Sequence, residues 1–452
     1  MSDRRRSETK EGARIAELGG GLVLRHARRA DVGAVVAFNG DVHRPYGMVE
    51  SDRYIEDWTR DLFERPHPTF AVPDFMVVED TATGSVVSSL NLISQTWSYG
   101  GVPFGVGRIE LVGTHREYRR RGLVRRQFEV VHRWSAERGE LVQGITGIYW
   151  YYRQFGYEYA LQMPGGRAVA RGDVPPAPAA EAEPFQVRAA TPADAPFLAA
   201  LDAEAGRRYL VTCVRDEALW RYEINGRSER DGARAFVFVI EDAAGTPVGC
   251  VVHEGRLHDG GLTLGTYELA AGTSWRAVTP SVLRHLSRVG EEYARHRAGE
   301  RSDAIRFRLG DEHPAYGWLT SPHGYDVPPS DWYIRVADLP SFLRRIAPIL
   351  EARLADAGAV HHSGDVLFNF YRSGLRLSFE RGRLVAVEPW EPVPPLADAS
   401  FPELTFLKVL FGYRSLDELH DAFPDCFVRD RQSAALVYAL FPKRPSLIWP
   451  VS

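Results

Sequence analysis

Hydrophobic and polar positions along this chain alternate in a succession that occurs twice. Leu24-Arg25-His26-Ala27-Arg28-Arg29-Ala30-Asp31 predicts a short strand, a polar turn and an apolar helix, and Val187-Arg188-Ala189-Ala190-Thr191-Pro192-Ala193-Asp194 predicts the same again. Val77-Val78-Glu79-Asp80, with Gly84 and a second apolar run, predicts a hairpin; Val239-Ile240-Glu241-Asp242, with Gly245, predicts its counterpart. Glu110-Leu111 then matches Glu268-Leu269, and Phe155-Gly156-Tyr157 matches His323-Gly324-Tyr325. Four matches in one order point to an internal duplication. Between the copies, the proline, alanine and acid of residues 174–184 sustain neither helix nor sheet and read as a stiff connector.

A third unit opens near Asp338 and Pro340. Phe342, Ile346, Ile349 and Leu350 follow a helical period of about 3.6 residues. Three strands follow, Val366 to Phe370, Leu375 to Phe379 and Leu384 to Val387, separated by the turn dipeptides Ser373-Gly374 and Arg381-Gly382. One helix then begins at Ser415, with Glu418 in capping-box spacing, and another covers Ser433 to Leu440. The chain ends in Leu447-Ile448-Trp449-Pro450-Val451-Ser452. An apolar terminus of this kind is expected to dock into a cleft or to pack against its own domain rather than fray. The fold class is α/β (α+β), with a disordered tail over 1–21, units over 22–173 and 185–335 joined by the linker, and a third unit over 336–452.

Composition narrows the setting. With 452 residues, 44% hydrophobic and 25% charged, the chain can bury several cores. The basic start is followed by no apolar stretch of signal-peptide length, and no window approaches the ~18 apolar residues of a membrane span, so the cytoplasm is the expected address and no membrane is expected as partner. Cys213, Cys250 and Cys426 are too far apart for a clustered metal site, and the histidines show no ligand spacing; no metal is expected. A net charge of −4 provides no broad basic face for nucleic acid.

Against that balance, residues 116–126 hold six arginines and one acid, Glu117. They follow the strand-like Arg108-Ile109-Glu110-Leu111-Val112 and lead, through Arg119-Arg120-Arg121-Gly122-Leu123-Val124, into an amphipathic helix ending near Gly139. Gly122 lets backbone amides approach an anion, and a helix N-terminus presents unpaired N–H groups with partial positive charge, so the segment reads as a pyrophosphate cradle. The second copy has Ser274-Trp275-Arg276-Ala277-Val278-Thr279-Pro280 instead, with one arginine and no glycine, and is expected to hold no pyrophosphate.

The strand, Arg119-x-x-Gly122-x-Val124 and helix arrangement resembles the acyl-CoA-binding motif of the GNAT superfamily of N-acetyltransferases, with Val124 in place of the usual glycine or alanine. Tyr151-Tyr152-Arg153-Gln154-Phe155-Gly156-Tyr157 is similar to the tyrosine-bearing segment of such enzymes. Two GNAT-like copies, the second degenerate, followed by a domain similar to sterol carrier proteins (Phe401-Pro402-Glu403-Leu404-Thr405-Phe406-Leu407, Phe411-Gly412-Tyr413, Phe441-Pro442), resemble the Eis-type (enhanced intracellular survival) acetyltransferases from about Leu22 to Ser452.

The resemblance implies direct attack of an amine on acetyl-CoA, the cosubstrate. Leu111, Val112 and Gly113 would pair through their backbone with the pantetheine arm. Arg119, Arg120, Arg121, Gly122, Leu123 and Val124 would hold the pyrophosphate, and Gly147 with Ile148 would flank the opposite strand. Tyr152 would be the general acid and the terminal carboxylate of Ser452 the general base. From the residues alone, a phenol can protonate a leaving thiolate, but Tyr149, Tyr151, Tyr157 and Tyr159 are rivals; Glu110, or a relaying water, is an alternative base. Asp31, Asp41, Glu50, Asp52, Glu56 and Asp57 crowd the early helices. With the resemblance they suggest an amine-rich small-molecule or peptide acceptor: aminoglycosides, polyamines or lysine side chains. A homohexamer is also implied. The competing reading is a lipid-binding or scaffold protein built around the third unit, unless Trp390, Phe406, Phe411 and Trp449 fill its interior.

Overall fold

The computed structural model describes residues 10–45, 48, 50–178, 183–296, 301–359, 361–392 and 397–450. The first copy runs β1 (Arg14–Gly19), β2 (Leu22–His26), α1 (Val32–Val42), α2 (Arg53–Glu64), β3 (Phe75–Asp80), β4 (Ser85–Tyr99), β5 (Val102–Thr114), α3 (Leu123–Glu137), β6 (Val142–Ile145), β7 (Glu158–Met163) and β8 (Gly166–Ala170). The second runs β9 (Gln186–Ala189), α4 (Ala195–Gly206), β10 (Val211–Cys213), α5 (Glu217–Asn225), β11 (Ala235–Glu241), β12 (Pro247–His258), β13 (Gly261–Leu269), α6 (Trp275–His296), β14 (Ala304–Phe307), β15 (Tyr325–Val327) and β16 (Ser330–Val336).

One ion-pair constellation marks both copies. In the first, Arg25 on β2 reaches Asp31 (2.6 Å) before α1 and Glu79 (2.7 Å) on β3; in the second, Arg188 on β9 reaches Asp194 (2.8 Å) and Glu241 (2.7 Å) on β11. Each arginine ties the start of a helix to the neighbouring strand. Asp31 and Asp52 therefore have structural duties: Asp52 caps α2 by accepting from the amides of Tyr54 and Ile55.

The copies are not separate in space. The first sheet has the order β1-β2-β3-β4-β5-β6-β16-β7, and the second β15-β8-β14-β13-β12-β11-β9. Each copy thus lends its last strand to the other: β16 lies between β6 and β7, and β8 between β14 and β15. β10 adds a further tie by pairing with β4. Divisions at 173 and 185 therefore do not separate the two sheets. The expected tail over 1–21 is also corrected, because Arg14–Gly19 pairs with β2 across a turn in which Gly19, Gly20 and Gly21 all take positive φ. The linker's described residues are anchored as well, Glu183 bonding Arg284 on α6 (2.6 Å).

The third unit comprises α7 (Leu339–Arg345), α8 (Ala347–Asp356), β17 (Gly364–Asn369), β18 (Gly374–Glu380), β19 (Arg383–Trp390), β20 (Ala399–Ser400), α9 (Phe406–Leu410), α10 (Leu416–Ala422), β21 (Phe427–Val428) and α11 (Arg431–Leu440), around a sheet of order β19-β18-β17-β20-β21. The expected single helix over Phe342 to Leu350 breaks at Ile346, because Pro348 provides no amide for a continuing helix and restricts the residue before it. Ser415 and Glu418 form the capping box of α10. Phe368, Phe401, Phe406 and Phe441 pack ring to ring and fill the interior. The unit is fixed to the first sheet by Tyr99, whose hydroxyl donates to Leu410 O (2.7 Å), and by Lys408, whose Nζ meets Glu158 (3.0 Å) at a buried contact.

The apolar terminus docks on the second copy. Leu210 N donates to Pro445 O (2.7 Å), Leu447 N donates to Val211 O (3.0 Å), Ile448 is fully buried, and the Trp449 indole lies flat against Gly265 on β13. A Cβ at Gly265 would stand 3.1–3.3 Å from that ring, so the indole would have to shift by a few tenths of an ångström.

Candidate functional site

β5 changes its partners halfway along. It pairs with the parallel β6 from Val106↔Val142 to Arg108↔Gly144 and diverges beyond that point. On its other edge the register with β4 slips, since Ser89 opposes Gly113 and Asn91 opposes Glu110. The extra residue is a bulge at Leu111, held at φ 51°. The bulge turns the Leu111 side chain into the cluster under α1 and α2, and leaves Val112, Gly113 and Thr114 along the gap opened between β5 and β6. Gly113 is required there because a Cβ would stand 2.5 Å from Val42 on α1.

The gap is a cavity of about 650 Å³. Val112 to Thr114 form one wall, Ile148, Tyr151, Gln154 and Phe155 the other, and the start of α3 closes one end. Gly122 is the N-cap of α3, with φ 76° and nothing within 4 Å of where its Cβ would be. With no side chain capping them, the first-turn amides of α3 remain available to an anion. Arg119, Arg120 and Arg125 surround that end.

Of the residues expected to hold a cofactor, Val112, Gly113, Arg119, Arg120, Gly122, Leu123, Val124 and Ile148 line this one cavity. Three do not. The Leu111 side chain is turned inward by the bulge, while its backbone stays on β5 beside Val112. Arg121 lies over the ring of Tyr118 (4.7 Å), itself a lining residue, and donates to Glu117 O (3.3 Å). Gly147, exposed and at φ 116°, is placed so that a Cβ would stand 3.9 Å from the Tyr152 hydroxyl.

Tyr152 follows Tyr151 off the rim into the core, 3% exposed. Its ring packs against Phe128 (5.8 Å), Tyr157 (6.3 Å) and Tyr333 (5.5 Å), the last supplied by the exchanged strand β16. Burial, and then the negative charge of Glu110, push its pKa up and keep the phenol protonated. Among its rivals, Tyr149 is 86% exposed, Tyr157 is bonded to His132 (2.8 Å) and Tyr159 is stacked on Tyr333 (3.8 Å). Glu110 is held by Arg108 (2.7 Å). Ser452 lies outside the described residues; Pro450, two positions earlier, lines a second cavity of about 200 Å³.

The sequence reading overlooked His43. It lines the cleft at the end of α1, its Nδ1 lies 3.0 Å from Asn39 O, and burial lowers its pKa. A lone histidine after a helix gives no local signal. Among the described residues no group of three His, Cys, Asp or Glu is placed to hold a metal ion, and no helix is long and apolar enough to cross a membrane.

The corresponding place in the second copy is filled. β13 and β14 pair as far as Leu264↔Phe307, and beyond them Tyr267, Trp275, His313 and Tyr316 stack edge to face. Glu268, the counterpart of Glu110, is buried beneath them between Arg208 (2.5 Å) and His313 (3.3 Å).

Residues 25–160 match the family model of the acetyltransferase (GNAT) domain. Such domains use acetyl-CoA as cosubstrate, and the protein is an acyltransferase. Over nearly its whole length the chain shares the fold of solved structures. A GCN5-related N-acetyltransferase from Kribbella flavida is 18% identical at TM-score 0.62, with 95% of this chain and 100% of that one covered. One from Anabaena variabilis is 13% identical at 0.63, covering 94% and 98%, and Eis1 from Mycobacterium abscessus is 14% identical at 0.58, also covering 94% and 98%. No curated protein sequence matches the chain.

Proposed function

We propose that the protein is an Eis-type N-acetyltransferase that moves the acetyl group of acetyl-CoA directly to an amine. The observation that carries this reading is the 650 Å³ cleft, which has bulged backbone on one wall and the uncapped N-terminus of α3 at its end. The diphosphate would rest on the amides and arginines of residues 119–124, and the pantetheine arm would run along Val112 and Gly113 toward Tyr152. An amine must lose a proton before attack and the departing thiolate must gain one. Tyr152, kept protonated by burial, is the acid in this reading, and the carboxylate of Ser452 is the base, with Glu110 the alternative. The third unit would be the sterol-carrier-like domain of such enzymes, and its filled interior favours a structural role over lipid carriage.

The test is thermal denaturation with acetyl-CoA. At about 100 times its Kd the ligand adds about 2.7 kcal/mol to stability, so a rise in Tm of several degrees is expected. No shift would remove the proposal.

A further inference from the structure

The exchanged strand β16 puts an unpartnered hydroxyl beside the acid of the donor cleft. Tyr333 pairs with Ile145 of β6 on one side and Tyr159 of β7 on the other, where a strand of the second copy lies inside the sheet of the first. Its ring is fully buried, stacked on Tyr159 (3.8 Å) and set edge to face against Tyr152 (5.5 Å). The Tyr333 and Tyr159 hydroxyls are both buried, and apart from each other neither has a hydrogen-bond partner among the described residues. A buried hydroxyl in this state lowers stability, and a phenylalanine of the same shape would fill the place without that cost. Packing alone therefore does not account for it.

The chemistry of Tyr152 does. When Tyr152 gives its proton to the departing thiolate, its O–H bond breaks, an S–H bond of coenzyme A forms, and a phenolate remains where burial and the charge of Glu110 both oppose a negative oxygen. The two phenols are near enough for charge on one to act on the other. A hydroxyl hydrogen turns freely about its C–O bond, so Tyr333 can point its own toward the new charge, and Tyr159 can follow by donating to Tyr333. Such a bond is strong only while the phenolate exists, so it lowers the barrier without tightening the binding of acetyl-CoA. The proton released by the attacking amine then restores the phenol.

Given the acetyltransferase reading above, on which this step rests, we infer that Tyr333 is a positioning residue for Tyr152, its O–H donating to the phenolate as the proton leaves. One tyrosine of the second copy thereby serves the chemistry of the first.

The experiment follows acetohydroxamate formation from acetyl-CoA and hydroxylamine by the full-length protein. Hydroxylamine is small enough to reach the thioester whatever acceptor the site is shaped for, and it is largely unprotonated near neutral pH, so its rate reports the acid rather than the base. Tyr333→Phe should lower kcat about tenfold or more while the KM for acetyl-CoA and the Tm stay near their wild-type values, since the resting hydroxyl has no partner beyond Tyr159. In the Tyr152→Phe background the same substitution should cost nothing further, because the phenolate it stabilises never forms. A Tyr333→Phe protein as fast as wild type, a loss confined to KM or matched by a large fall in Tm, a loss that multiplies fully with that of Tyr152→Phe, or a wild type that forms no hydroxamate would overturn the inference. The acetyl-CoA thermal shift on the same samples separates the two ideas: its absence removes the acetyltransferase reading, and its presence beside any of those results removes only the role of Tyr333.

Discussion

The two copies share a strand order, a hairpin and an Arg-Asp-Glu ion-pair constellation, yet one contains a large cleft and the other a stack of aromatic rings. In the first, β5 bulges at Leu111, and α3 begins at a glycine surrounded by arginines. In the second, α6 begins beside Trp275, which with Tyr267, His313 and Tyr316 occupies the corresponding gap. The backbone plan alone therefore does not make the cleft. A few positions at the mouth of one helix decide whether a sheet that splays encloses empty space or side chains.

The strongest way to break this comparison is to block the first cleft. Gly122→Trp places a bulky residue at φ 76° in the open end and should abolish the thermal shift with acetyl-CoA, while Ser274→Leu at the start of α6 should leave the shift intact and cost about 1 kcal/mol from the lost cap. Tyr152→Phe should lower kcat by about 100-fold with little change in the KM for acetyl-CoA, as steady-state rates would show. Trp275→Ala should destabilise the protein by about 2–4 kcal/mol in denaturant titration and should not create a second acetyl-CoA site, so calorimetric stoichiometry stays at one.

Smaller effects sharpen the likeness. Arg25→Met strands two carboxylates at a buried pair and should cost about 3–5 kcal/mol. The half-exposed Arg188→Met should cost about 1 kcal/mol. Hydrogen bonds from Arg188 hold the Asp194 carboxyl down at about 2. Because its folded pKa is depressed, the stabilisation it provides is present above the ordinary carboxylate range and is lost as pH falls from about 4 to 2. Urea midpoints across that range should fall for wild type and change less for Asp194→Asn.

The duplication is legible in sequence because each pairing is local: an arginine on one strand, an aspartate six residues later, a hairpin behind them. The open start of α3 is legible for the same reason, since a glycine, its arginines and a helix start lie within one short segment. The exchange of β8 and β16 is not, because alternation says which face of a strand is buried and nothing about which sheet accepts it. Side-chain directions are not legible: Arg119, Arg120 and Arg125 line the cavity while Arg121 lies over Tyr118, and a single extra residue in β5 reverses the leucine side chain.

The reciprocal loan of final strands sets a timetable for biosynthesis. While the ribosome is still making residues before Ser330, β7 has no neighbour to join it to the rest of its sheet, and Tyr333 is not yet present to back Tyr152. The nascent first copy must wait, incomplete, for a segment well over a hundred residues downstream, so catalytic competence arrives only after both halves have left the exit tunnel, and a truncated product would be left with unpaired edges open to aggregation.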